Sequence, residues 1–437
     1  MPSLIPVANS HAAAPRVDLS GANLLRFVAV LAVIYSHISF YLVDDRGTEW
    51  WLLDVVHRSL VEIGGLNKHL SFFGVGIFMM MTGLLITRSA IRHGSGHFLL
   101  NRLGRILPAF WVAIFAAIIL VRLGINGMFS GQDGISNVEA ALSFVLGGFF
   151  LKPEVAVLGV TWTLAVQVLF YFSCVAGRPL LRTMPIAMPL AGAAVCSLIL
   201  LYNLYVPQPY TVPMLSKIAA TMPALFLGQI LYLAWSRLAN GWWIVAALIA
   251  QVEVIRLATD FRVYWAGDRY LWTFFVVTAC VVLIGKYDGP MNRWAVVRWT
   301  AQRSYAIYLV HTLVLYQVFN RTVDYLGSTG AVIAFLIVCA LVSEALYRWV
   351  EVPGTRWVSA RAERMRERSK LAKEGSSARA KEAVPARTKE GTPARAKEGV
   401  SAPVKDGAPA LAKEGAPAPR VASNHVLVRR PSGSSLR

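Results

Sequence analysis

Apolar residues in this chain fall into long runs separated by short polar stretches. Runs of about 17 to 25 apolar residues are long enough to cross the hydrocarbon layer as helices. They occur near 23–43, 71–88, 105–123, 161–177, 186–205, 217–236, 241–258, 270–285, 303–319 and 330–350. The pattern predicts an all-α fold, a polytopic membrane helical bundle of about ten transmembrane helices. An eleventh apolar segment, 137–151, is short and carries Gly147 and Gly148.

Basic residues decide how to treat that segment. If it does not cross, Arg88, Arg92, Arg102 and Arg105 share one side with Arg178, Arg182 and Arg237. Lys286, Arg293, Arg298, Arg303 and the C-terminal tail then join them, and by the positive-inside rule that side is the cytoplasm. A crossing would invert every later loop, so 137–151 is read as interfacial or re-entrant and both termini as cytoplasmic. Arg46, Arg58, Lys68, Arg262 and Arg269 remain outside, which weakens the bias without reversing it.

Composition agrees with a multi-pass plasma-membrane protein. Of 437 residues 56% are hydrophobic and only 15% charged. The formal charge of +19 therefore reflects cytoplasmic loops and anionic lipid, with no nucleic-acid partner implied. Zinc-finger, P-loop and GxGxxG patterns are missing, which argues against an ATP-powered pump. Cys174, Cys196, Cys280 and Cys339 all lie in apolar runs without paired spacing, as small lipid-embedded hydrophobes and neither a disulfide framework nor a metal site.

Three regions follow. Residues 1–22 form a polar N-terminus ahead of an uncleaved first span, residues 23–352 form the membrane domain, and residues 353–437 form a basic low-complexity tail. In the tail Lys373-Glu374, Lys381-Glu382, Lys389-Glu390, Lys397-Glu398, Lys405-Asp406 and Lys413-Glu414 recur every eight residues. That period, with Pro and Gly in most repeats, fits neither a heptad nor a solenoid, and the segment is expected to be disordered. Residues 361–373 either continue the last helix onto anionic headgroups or form a solvated charge run.

Chemistry is foreshadowed by polar residues inside the spans. His37 follows Arg26 by eleven residues, which returns to nearly the same helix face roughly 16 Å further on. Arg26 then lies at the membrane edge and His37 within it, where an ionisable side chain marks a functional site unless it only packs against a neighbouring carbonyl. Arg102 and Arg105, three apart at the start of the third span, can turn two guanidinium forks toward one anionic group, or serve as membrane-edge anchors. Gln167 is buried in the segment that ends at Tyr171, while Ser304, Tyr308 and His311 lie three to four residues apart on one face. His37, Gln167 and His311 point to a shared interior cavity, although interhelical hydrogen bonding alone accounts for any one of them. In the second span Gly74, Gly76 and Gly83 with Thr82 make a close-packing face.

Together these segments resemble acyltransferase family three, polytopic membrane acyltransferases that modify cell-surface sugars, glycolipids and some macrolides. The resemblance runs from about Leu19 to Val352. It is carried by Arg26 with His37, the stretch from Gly76 to Gly83, the basic segment from Arg102 to Trp111, Trp162 to Tyr171, and Ser304 to His311. Thr82 stands where a serine is common and Gln167 where the family usually has glutamate; an amide can orient a group but cannot take its proton. The resemblance implies transfer of an acyl group, most often acetyl, from acyl-CoA as donor substrate to a hydroxyl of a cell-envelope carbohydrate or glycolipid in contact with membrane lipid, with no bound cofactor or metal. His37 would be the base, imidazole being the side chain that titrates nearest neutrality. Arg102 and Arg105, with Arg26 nearby, would hold the coenzyme's phosphates. The rival readings are a transporter or flippase for a lipid-linked sugar, for which no inverted repeat is evident, and a non-catalytic scaffold.

Overall fold

The computed structural model describes residues 15, 17–125, 134–151, 157–207, 210–212, 214–261, 269–365 and 367, and among these all regular structure is helical. In chain order the helices are α1 (Ala22–Ser39), α2 (Trp51–Val56), α3 (Phe73–Arg92), α4 (Ser95–Arg122), α5 (Asn137–Phe144) and α6 (Gly148–Leu151). After them come α7 (Trp162–Ala176), α8 (Arg178–Thr183), α9 (Ala187–Tyr205), α10 (Leu215–Trp235), α11 (Gly241–Asp260), α12 (Tyr270–Gly285) and α13 (Ala295–Leu346).

The protein is a polytopic membrane helical bundle. Eight helical stretches among the described residues are long and apolar enough to cross a membrane, where the sequence predicts about ten. Two physical facts account for the difference. Helix α12 has 16 residues, a rise of about 24 Å that falls short of the ~30 Å hydrocarbon layer. The last two apolar runs belong to one continuous stretch that turns at Gly327, whose φ of 65° is a conformation open to glycine. Beyond that turn the chain doubles back. Trp299 Nε1 and Arg303 Nη2 in the first half donate to Glu344 in the second at 3.0 and 2.9 Å.

Segment 137–151 forms α5 and α6, of eight and four residues, too short to cross. A reciprocal capping box fixes where α5 begins, with Ser136 Oγ accepting from the Glu139 N–H and the Glu139 carboxylate accepting from the Ser136 N–H.

Helices α3 and α10 are the most enclosed of the spans and pack on each other along much of their length. Their seam is backbone against backbone. A Cβ on Gly83 would strike the Leu225 carbonyl of α10, and one on Gly228 would strike the Met80 carbonyl of α3. Lipid supplies no hydrophobic drive between helices, so this close approach is what joins them. Gly74 meets Ala29 and Val33 of α1, and Gly76 approaches Val277 of α12, so the expected glycine face is the junction of α3 with three neighbours.

Helix α1 is pinned at its first turn. The N–H of Leu24, which has no partner within the helix, donates to Asn292 Oδ1 at 3.0 Å, and the Asn292 amide donates to the Ser20 carbonyl. Outer helices α9 and α11 turn Val195, Leu198, Trp242 and Ile249 away from the protein, as a lipid-facing surface requires.

Past α13 the chain continues through a wide turn, Tyr347–Glu351, into further helix that is described as far as Met365. Val358 is buried there against Gly104 of α4, and Gly354 lies beside Pro108. The repeats from Lys373 to Glu414 and most of residues 1–22 lie outside the described residues. All four cysteines are free thiols; Cys174, Cys196 and Cys339 are buried and Cys280 partly so.

Candidate active site

A cavity of about 160 Å³ lies among α1, α3, α4, α7 and α13. Arg26 of α1 and Arg102 and Arg105 of α4 line it, with Gln167 and Tyr171 of α7 and Ser304 and Tyr308 of α13. Seven of the nine residues singled out from the sequence thus converge from four helices. The enclosed volume is comparable to cavities that take a benzene-sized molecule, so it fits the reacting end of a substrate and not a whole coenzyme.

Its electrostatics are cationic. The Arg26 and Arg105 charges repel one another, as do those of Arg102 and Arg105. The nearest compensating carboxylate is Glu351, buried and within electrostatic reach of Arg26, Arg105 and Arg303. Three guanidiniums against one carboxylate leave a surplus positive charge in a medium that screens poorly. Arg102 Nε is buried with no hydrogen-bond partner among the described residues. An incoming anion would satisfy that donor and relieve the repulsion.

Beyond the cavity wall lie the two histidines. Their rings meet, with the centroids of His37 and His311 4.9 Å apart and the planes inclined by 59°. Neither lines the cavity. His311 sits three residues past Tyr308, and the two rings are 5.7 Å apart, so Tyr308 separates the cavity from the histidine pair. The single interior chamber expected to hold His37, Gln167 and His311 is therefore divided, with Gln167 on the arginine side and both imidazoles behind the tyrosine.

Hydrogen bonds assign the His311 tautomer. Its Nδ1 lies 3.1 Å from the Ile307 carbonyl and 2.8 Å from the Tyr308 carbonyl. Carbonyl oxygens only accept, so in the neutral ring Nδ1 carries the hydrogen and Nε2 the lone pair. That Nε2 is buried without a partner among the described residues. Tyr308 is itself held by its hydroxyl, which donates to the Val160 carbonyl at 2.9 Å and lies 2.6 Å from Thr163 Oγ1.

Several contributors escaped the sequence reading. Thr163 and Tyr305 line the cavity, and the Tyr305 hydroxyl donates to the Ile106 carbonyl at 2.7 Å. Thr82, which the sequence placed on a packing face, also lines it. Glu351 lies just past the last apolar run, where an isolated acidic residue was the available signal.

Fold and site define an integral membrane protein whose internal cavity is cationic and backed by two imidazoles. The chain belongs to the acyltransferase domain family known as acyltransferase family three, which matches residues 19–348. It is 24% identical over 380 residues to a putative peptidoglycan O-acetyltransferase, YrhL, of Bacillus subtilis (strain 168), a match that covers 77% of this chain and 54% of that protein. It is 25% identical over 350 residues to nodulation protein 10 of Rhizobium leguminosarum bv. viciae, covering 71% and 85%. The chain thus spans about half the length of the first of these relatives. No solved structure matches it.

Proposed function

We propose that this protein is an O-acyltransferase that moves an acyl group, acetyl in the simplest case, from acyl-CoA to a hydroxyl of a cell-envelope carbohydrate or glycolipid. The observation that carries the reading is the contact between His37 and His311 behind an arginine-lined cavity. Membership of the acyltransferase domain family supports the reaction class, and the name of the Bacillus relative supports a carbohydrate acceptor.

In this reading the basic mouth faces the cytoplasm, as the distribution of Arg and Lys favours. Arg102 and Arg105, with Arg26, hold the phosphates of the coenzyme by charge-assisted hydrogen bonds. Once the Tyr308 ring moves aside and the cavity opens to the imidazoles, His37 takes the proton of the acceptor hydroxyl as its oxygen attacks the thioester carbonyl. The C–S bond then breaks, and the departing thiolate recovers a proton from the imidazolium, so the enzyme ends as it began. His311 serves His37 through its lone-pair nitrogen, which can accept a hydrogen from the neighbouring ring and set its tautomer. Gln167, an amide, orients a polar group in the cavity and takes no proton.

The test compares envelope lipids and polysaccharides by mass spectrometry. The strains are cells lacking the gene and the same cells carrying wild type or His37→Ala at matched expression. The reading expects a species lighter by one acyl group to accumulate in the deletion and only wild type to clear it. Full restoration by His37→Ala would reduce His37 to a packing residue.

A further inference from the structure

A second polar cavity, of about 630 Å³, lies at the far end of α1. Asp44 in its wall is 18 residues beyond Arg26, about 27 Å along a helix axis, so the two cavities belong to opposite membrane faces. Beyond Ser39 the helix widens into π-type turns over Phe40–Asp45, a distortion that recurs at functional sites. These turns bring Asp44 to His69.

His69 is held in a costly conformation. Its backbone is left-handed, φ 58° and ψ 9°, and Leu70 follows at φ 52°. Two consecutive residues with side chains persist there only where their surroundings fix them. Ser39 Oγ is 2.7 Å from His69 Nδ1, and Asp44 Oδ2 is 3.0 Å from Nε2. The Asp44 contact is one of charge, since Nε2 makes no aligned hydrogen bond among the described residues. Lys68 Nζ holds the other oxygen of Asp44 at 3.0 Å.

Asn67 adds an independent sign of a ligand. It is 4% exposed, its N–H donates to Thr273 Oγ1 at 2.9 Å and its amide nitrogen to Ser71 Oγ at 2.6 Å. Its Oδ1 is buried with no partner among the described residues, although the residue lines the cavity. Buried acceptors of this kind are normally satisfied. The donor is therefore expected from outside the described residues, and the open cavity gives a ligand hydroxyl access to it.

Charges of both signs meet here, and the ring of Phe40 stacks within 4.6 Å of the His69 ring. Carboxylates of Asp44 and Glu62 with the Asn67 oxygen accept, His57, Lys68 and Arg269 donate, and an aromatic face lies beside them. That inventory suits neighbouring hydroxyls on a sugar ring, each of which both donates and accepts. Phe40 follows His37 by three residues on the same helix, which sets the edge of this cavity one turn from the histidine pair.

We propose that this outward cavity binds the hydroxyl-bearing carbohydrate that accepts the acyl group, an inference that rests on the acyl-transfer reading above. Asp44 and Glu62 engage sugar hydroxyls, Asn67 Oδ1 accepts from one, and Ser39 and Asp44 position the His69 ring.

The experiment uses full-length protein in lipid nanodiscs with acetyl-CoA and solubilised envelope glycan from the host cells. Asp44→Asn and the exposed Glu62→Gln are expected to raise the acceptor KM at least fivefold and leave the acetyl-CoA KM unchanged, and Glu62→Gln is expected to leave the unfolding temperature unchanged as well. If Asp44→Asn does not fold, Glu62→Gln decides the matter. Unchanged acceptor KM in the folded variants overturns this site and leaves the proposed reaction standing. A wild type that transfers no acetyl group overturns the reaction itself and the acceptor site with it.

Discussion

His311 shows how much a pair of backbone carbonyls can decide. Two acceptors at Nδ1 fix which nitrogen keeps its lone pair, and that nitrogen is buried in the bundle near a second imidazole. His311→Gln should therefore lower acyl transfer by roughly 10²–10⁴-fold, the range for losing a positioned proton-transfer group. The double variant with His37→Ala should be little worse than either alone, since residues that act as a unit are not additive; single-turnover assays would show it. At the basic mouth, Arg102→Ala should raise the apparent KM for acyl-CoA about tenfold, and Arg102→Lys should recover only part, because the ammonium lacks the planar fork. An unchanged KM would remove Arg102 from the donor site. Arg26, Arg102, Arg105, Gln167, Tyr171, Ser304 and Tyr308 were all legible from the sequence because charged and polar residues are rare in apolar runs. Thr163 was not, because a threonine whose hydroxyl can bond its own helix turn costs little in a span and so gives no signal.

The hairpin of α13 is held by one acidic side chain. In the hairpin closed at Gly327, Glu344 receives Trp299, Arg303 and Arg348. Arg303 is buried between the rings of Trp299 and Tyr347, with centroid distances of 4.9 and 4.7 Å. Glu344→Gln strands that guanidinium, at a cost of about 1–3 kcal/mol in stability. Thermal unfolding in detergent should register the loss, and Arg348→Ala, at an exposed end of the same cluster, should cost much less. Sequence periodicity located both arms of this hairpin but could not join them. Residues 41 and 45 positions apart meet through the turn, and local pattern holds no information about such pairs. For the same reason the π-type turns after Ser39 and the left-handed pair His69–Leu70 were invisible, since tertiary contacts impose them against local preference.

For the molecule as a whole, the two cavities predict a strict sidedness. A cysteine at the exposed Gly96, in the first turn of the helix that carries Arg102 and Arg105, should resist a membrane-impermeant maleimide in intact cells and react after permeabilisation. One at the exposed Ser59, in the π-type helical turn His57–Ile63 beside the second cavity, should react at once. The reverse pattern would invert the assigned topology. The native thiols should contribute little background, because three are buried and Cys280 is partly so. The bundle class, the extent of most spans and the non-crossing character of 137–151 were readable from apolar run length and basic flanks. The division of the interior by Tyr308 was not, because it depends on how α13 sits against α7.

The glycine seam has a mechanical consequence. A carrier that exposes its cargo first to one side and then to the other needs two bundles that rock past each other on an interface of adaptable side chains. Here α3 and α10 meet through main-chain atoms at Gly83 and Gly228, which have no rotamers with which to accommodate sliding. Such a seam favours a centre that stays fixed while ligands approach it. If the histidines carry the chemistry proposed above, substrates travel inward to them along a seam that stays in place.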